Sequence, residues 1–175
     1  MLKAIDVAKY FLNKDDGTLF NNNLVERSGR RFYEGNARLN KYLHIAQNLY
    51  IAQHGRKLFE DDLYAYDNGV VVPSVQENYQ AIKHYYVGKA IPQEESAYLD
   101  KIYYALQNAS LEELIEISHE DSEWKRKSCF SKKEEQRMNS LSNVEEYRDQ
   151  YKDMLIILDR MDKGGAVKTG TGNLD

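Results

Sequence analysis

The side chains of this sequence best suited to nucleophilic, acid–base or metal chemistry near neutral pH are four histidines and one cysteine. His44, His54, His84 and His119 stand far apart, with no His-Glu-x-x-His pair and no histidine-rich tract. A metal centre would have to be assembled from distant places, and none is expected. His119 is followed by Glu120 and Asp121, with Trp124 close behind. An imidazole beside carboxylates can act as acid or base, here in a pocket near Asn68 and Lys41. The plainer reading is that His119 closes a helix at its C-terminus, where its charge suits the dipole, while Trp124 folds back on the core. Cys129 has Lys125, Arg126, Lys127, Lys132 and Lys133 around it, an electropositive setting, but no active-site cysteine pattern surrounds it and it reads as an ordinary thiol. Lys163-Gly164-Gly165 and Gly170-Thr171-Gly172 have no preceding strand, and neither GxGxxG nor GxxxxGK[ST] occurs, so nothing supports nucleotide binding. No catalytic residue, metal site or cofactor is assigned, and the chain reads as non-enzymatic.

The 175 residues are enough for one main core and too few for two full-sized domains. With 42% hydrophobic residues and only two prolines, the chain has the apolar material to fold. A net charge of −4 argues against a protein whose task is gripping nucleic acid or anionic lipid. The basic groups Arg27 to Arg38 and Lys125 to Lys133 are interrupted or flanked by acids, and read as solvated surface or a site for an acidic protein partner. One cysteine excludes an internal disulfide framework and fits a reducing compartment, with the cytoplasm as the default. No stretch approaches the ~20 apolar residues of a membrane span, and Asp6 interrupts any secretory signal, so no membrane contact is expected. Fourteen tyrosines serve core and core-edge positions, and those left over favour interfaces.

The elements that must position these groups are mainly α-helical. Leu2, Ile5, Ala8, Phe11 and Leu12 recur at helical steps up to Asn13. Residues 14–35, rich in Asn, Gly and charge, predict a long, partly mobile loop. Asn36 is placed to cap a central helix with Leu39, Leu43, Ala46 and Tyr50 on one face and Gly55 as its stop. Asp67-Asn68-Gly69 between Leu63-Tyr64-Ala65-Tyr66 and Val70-Val71-Val72 predicts a short hairpin or an extended crossing, ended by Pro73. One helix through Val75, Tyr79, Ile82 and Tyr86 should end at Gly88, and another should begin at Pro92. Ser110 with Glu113 forms a capping box that starts the next helix, and His119 to Ser131 is charged and aperiodic. A last helical region runs over 131–161, with a second capping box from Ser142 and Glu145. Val144, Tyr147, Tyr151, Met154, Leu158 and Met161 make a seam able to meet another helix, as a possible interface. Residues 163–175 read as a disordered tail.

Four blocks carry a resemblance to a known family: Leu39-Asn40-Lys41-Tyr42-Leu43-His44-Ile45-Ala46-Gln47, Gly55-Arg56-Lys57-Leu58-Phe59, Ala65-Tyr66-Asp67-Asn68-Gly69-Val70-Val71-Val72-Pro73-Ser74-Val75, and Ser118-His119-Glu120-Asp121-Ser122-Glu123-Trp124. In order and spacing they resemble the Panacea domain, which includes SocA-like antitoxins and GepA-like phage-associated proteins. Tyr66 stands where the family usually has Trp, Val70 where it has Pro, and Glu123 where it has the Pro before Trp124. The resemblance implies a compact multi-helix globular domain over 1–130, to which the loop at 14–35 and a helical extension at 131–162 are additions specific to this chain. It implies an antitoxin that binds and neutralises a cognate protein toxin, encoded on a prophage or mobile element. Its alternatives are a phage-borne modulator of a host defence or regulatory protein, and a proteolytic adaptor that delivers a bound toxin to a AAA+ protease. Asn36, Leu39, Lys41, Ala46, Gln47, Tyr66, Asn68, Gly69, Val72, Pro73, His119 and Trp124 occupy the motif positions and are candidates for partner binding or structure. A homodimer is left open.

Overall fold

Between Gly35 and Gly55 the sequence has neither proline nor glycine, and its apolar residues Leu39, Tyr42, Leu43, Ile45, Leu49 and Ile51 point to every side of a helix rather than one. Such a helix belongs inside a protein. Helix α2 (Glu34–His54) is accordingly buried along most of its length and is the axis around which the chain is wound. It ends at Gly55, whose φ of 68° is the left-handed conformation that closes a helix without a Cβ penalty. The computed structural model describes the backbone of residues 1–172 and the side chains of residues 1–163.

Burying α2 also buries polar side chains, which must find partners. Asn40 Oδ1 accepts from the Val72 N–H at 2.9 Å, and Lys41 Nζ donates to the Val70 carbonyl at 3.2 Å. Gln47 Oε1 accepts from the N–H groups of Leu58 and Phe59, and its amide donates back to the Phe59 carbonyl. Each of these side chains therefore pins a non-helical segment to α2. The motif residues in 39–47, 55–59 and 65–75 owe their spacing to this work.

Helix α1 (Ala4–Lys14) lays Val7, Ala8, Phe11 and Leu12 on α2, with Phe11 and Phe20 meeting Tyr42 edge-on. The segment expected as a loop over 14–35 instead holds a hairpin, β1 (Leu24–Arg27) with β2 (Arg30–Tyr33). Its two-residue turn has Ser28 at φ 53° and Gly29 at φ 78°, the two positive values a primed turn requires. The second hairpin, β3 (Tyr64–Tyr66) with β4 (Gly69–Val71), stands where the sequence placed one. The single helix expected from Val75 to Tyr86 is two, α3 (Pro73–Gln76) and α4 (Tyr79–His84). Asn36 does not cap α2; it lies inside the first turn and donates to the Gln76 carbonyl.

Helix α5 (Gln93–Leu106) has Pro92 just before it, and α6 (Leu111–His119) begins with the Ser110–Glu113 capping box as expected. The stretch read as aperiodic after His119 contains α7 (Ser122–Lys127), because Asp121 accepts from the Glu123 and Trp124 N–H groups as its N-cap. A short α8 (Lys133–Gln136) and a 3-10 turn (Ser140–Asn143) precede α9 (Val144–Gln150) and α10 (Lys152–Gly172). The second capping box does not form, since no side chain caps α9. Of the disordered tail expected over 163–175, all but Lys163 falls outside the residues whose side chains are described, and α10 carries the backbone on to Gly172. Among the described residues the molecule is mainly α-helical with two small antiparallel hairpins, and no helix is long and apolar enough to cross a membrane.

Candidate functional site

The two hairpins, α2 and α6 enclose a cleft of about 120 Å³. Lys41 forms its floor, Arg27 and Arg30 stand at its rim, and Phe32, Val71 and Ile115 are among its walls. Lys41 is only 3% exposed, and among the described residues it is in no ion pair; its hydrogen bond is the one to the Val70 carbonyl. Burial, with a smaller push from the Arg27 charge, brings its ammonium down to about 8.

Gly69 makes room for that lysine. Its φ of 137° is open to glycine, and a Cβ there would stand 2.5 Å from Lys41 Nζ and 3.8 Å from His119 Nε2. His119 is the last residue of α6, and its ring stacks on Trp124 at 3.9 Å with 5° between planes. Trp124 in turn donates its indole N–H to the Tyr66 carbonyl at 2.8 Å. His119 Nε2 is buried without a hydrogen-bond partner, and burial, then the Lys41 charge, holds the imidazole below its usual pKa. A neutral ring beside an ammonium is the result. At the rim, Arg27 pairs with Glu112, and Arg30 with Asp67 at 2.6 Å.

The structure thus gathers Asn36, Lys41, Tyr66, Asn68, Gly69, His119 and Trp124 at or just beneath one cleft. Leu39, Ala46 and Val72 lie in the hydrophobic core instead, Gln47 holds the 58–59 segment, and Pro73 opens α3. The acid–base pairing of His119 with a neighbouring carboxylate is not assembled. Glu120 faces solvent beside Lys125, and Asp121 turns to the opposite side of the helix end.

There Asp121 meets a group the sequence reading did not bring together. Asp121 Oδ2 accepts from His44 Nε2 at 3.0 Å, and the Ser118 hydroxyl lies 2.9 Å from His44 Nδ1. With the proton on Nε2, the ring donates to the carboxylate and accepts from the serine. Serine, histidine and aspartate in this order have the composition of a nucleophile, base and orienting acid. All three side chains are 0% exposed, however, and no described cavity reaches them, so Ser118 cannot meet a substrate in this arrangement. Asn48 Nδ2 and the Tyr147 hydroxyl donate to the same carboxylate, at 3.1 and 3.2 Å, and Asn48 Nδ2 also donates to Tyr151. The cluster is a polar clamp that ties α6, α7, α9 and the residue after α9 to α2.

The helical seam expected at the C-terminal end is occupied from within. Tyr147, Tyr151 and Leu158 are buried, and Val144, Met154 and Met161 pack partly buried against the same core. Cys129 is exposed, with its thiol donating to the Arg126 carbonyl at 3.4 Å. Among the described residues no group of three His, Cys, Asp or Glu is placed to hold a metal ion.

A small helical domain wound around a buried central helix, with a cationic cleft between two hairpins, is the class of protein this geometry defines. The family model of the antitoxin SocA-like, Panacea domain matches residues 39–125, from the middle of α2 through α7. Over these residues the chain resembles the Panacea family of SocA-like antitoxins. No curated protein and no solved structure matches it.

Proposed function

We propose that this protein is the antitoxin of a two-gene system carried on a prophage or other mobile element, and that it neutralises a cognate protein toxin by binding it directly. The observation that carries this reading is the family match over 39–125, which takes in the buried polar residues of α2 from Asn40 to Asn48, the second hairpin and the His119–Trp124 stack. Exposed aromatic side chains suit a protein partner: Tyr85 is 72% and Tyr104 57% exposed. The seam of α9 and α10 is already covered by the chain's own core, which favours the cleft face and these exposed rings as the toxin contact.

The test is growth of a heterologous bacterium expressing the adjacent open reading frame, with and without this protein, followed by co-purification of the pair. Toxicity relieved together with a stable complex supports neutralisation by binding. Relief that needs an active AAA+ protease, with the toxin disappearing, turns the reading to an adaptor. A harmless neighbour that does not bind refutes the antitoxin reading for that pair and directs the search to a host protein captured from phage-infected cells.

A further inference from the structure

A lysine ammonium has three protons to donate, and Lys41 gives one to the Val70 carbonyl. The other two are left in a cleft whose walls include Phe32, Val71 and Ile115. The other two cations at the cleft already have acids, Glu112 for Arg27 and Asp67 for Arg30. A second polar atom beside Lys41, His119 Nε2, is buried without a partner. Taken together, the site holds one positive charge in excess, unmet hydrogen-bonding capacity and apolar walls within about 120 Å³. A buried charge without a counter-charge is costly, and a ligand of opposite sign relieves that cost.

We propose that the cleft is a receptor for a single carboxylate, bound by Lys41 Nζ, and that the protein partner supplies it as an aspartate or glutamate side chain or as its chain end. A phosphate dianion is a poorer match, because one ammonium in an apolar site offsets one charge and both rim arginines are engaged. The antitoxin reading enters only in naming the carrier of the carboxylate; the chemistry of the cleft stands without it. If that reading holds, an acidic residue of the toxin is the anchor that the cleft selects.

The test needs no toxin. The intact ¹⁵N-labelled protein is titrated near pH 7 with N-acetylglycine, whose carboxylate stands for a chain end, and with N-acetylglutamate α-amide, which offers a side-chain carboxylate. N-acetylglycinamide is the uncharged control and inorganic phosphate the second anion. Saturable shifts of the Gly69 and Val71 amides and the His119 ring are expected with either carboxylate and not with the amide. Lys41→Met keeps the length of the side chain and should weaken binding by about tenfold or more, the size expected for a hydrogen bond to a charged group. Ala37→Leu, at a half-buried position that lines the cleft, leaves Lys41 in place and should weaken it by narrowing the cleft. Which of the two carboxylates binds more tightly tells a chain end from a side chain. Shifts that do not saturate, affinity unchanged in both variants, or phosphate binding more tightly than either carboxylate would overturn the proposal. None of these outcomes bears on whether the protein neutralises a toxin, which the growth assay decides separately.

Discussion

Replacing Asp121 with alanine removes the acceptor on which the buried clamp converges. Its Oδ1 takes the N–H groups of Glu123 and Trp124 at 2.9 and 3.3 Å, and its Oδ2 takes His44, Asn48 and Tyr147. Loss of an N-cap costs about 1 kcal/mol. Each buried side-chain donor left without its acceptor costs ~1–3 kcal/mol, and Asn48 falls at the low end because it keeps Tyr151. The sum is about 5 kcal/mol, a large share of the ~5–15 kcal/mol that holds a domain of this size together. In a thermal scan this lowers Tm by roughly 10–20 °C. The assay is urea unfolding followed by Trp124 fluorescence and far-ultraviolet circular dichroism, so that loss of α7 and loss of the whole fold are seen separately. A destabilisation below about 1.5 kcal/mol would refute the clamp, because it would mean that water can replace the carboxylate.

The same residue gives a pH signature. Burial works to raise the Asp121 pKa, but the hydrogen bond from His44, with the donors of Trp124 and Asn48, more than offsets it and holds the carboxyl below 3.8. A carboxyl with a depressed native pKa contributes stability that is complete above its unfolded value and is lost as pH falls through the native one. Acid unfolding of the wild type should therefore steepen below about pH 4, and Asp121→Ala should remove that steepening.

Three further substitutions follow from the cleft and its supports. Lys41→Met removes a buried charge whose native pKa, about 8, lies below its ordinary value; since a depressed lysine gains stability as pH rises from the native to the unfolded pKa, the variant should be more stable than wild type by about 2 kcal/mol at pH 7, and urea midpoints at pH 7, 8.5 and 10 should show that advantage shrinking. An advantage constant with pH would mean that Lys41 is solvated. Gly69→Ala places a Cβ against Lys41 Nζ at a φ of 137°, so it should cost about 1–3 kcal/mol and shift the His119 ring resonances, and a silent variant would deny the contact. Gly35→Ala drives a Cβ into the Asn21 backbone and the Tyr79 hydroxyl, so amide exchange over 21–33 should accelerate more than in the rest of the protein.

Helices α1, α5 and α6 were legible because each has one apolar face, as Ala8, Phe11 and Leu12 show in α1, with Pro92 marking the start of α5 and the Ser110–Glu113 box that of α6. The first hairpin was hidden because its strands read Leu-Val-Glu-Arg and Arg-Arg-Phe-Tyr, with too few apolar residues to show a buried side, and its turn is Ser-Gly rather than Asn-Gly. Its hold on the domain is long-range, through Arg27 to Glu112 and Arg30 to Asp67, which no local pattern announces. Helix α7 was hidden for a related reason. Asp121 reads in sequence as a partner for His119, whereas in the fold it is both the cap of α7 and the acceptor for His44, 77 positions away. One signal did point to the clamp: α2 is apolar on every side, so His44 and Asn48, one turn apart, had to be buried and bonded.

Lys41 is where that logic turns from fold to function. Gln47 on the same helix engages both its oxygen and its nitrogen with the 58–59 segment, and Asn40 gives its oxygen to the Val72 N–H and its nitrogen to Asn36 one turn back. A methionine at 41 would fill the same space without the cost of desolvating an ammonium. One neutral donor would suffice for the Val70 carbonyl, yet the position carries a full charge, with a glycine across from it whose missing Cβ leaves the ammonium its place. A group that lowers stability and still has hydrogen bonds to give has its favourable interaction elsewhere, and the cleft above it is the open direction. Lys41→Met should then separate the two roles: a more stable protein that binds carboxylates poorly. A variant that is less stable and binds them as well as the wild type would return Lys41 to the fold.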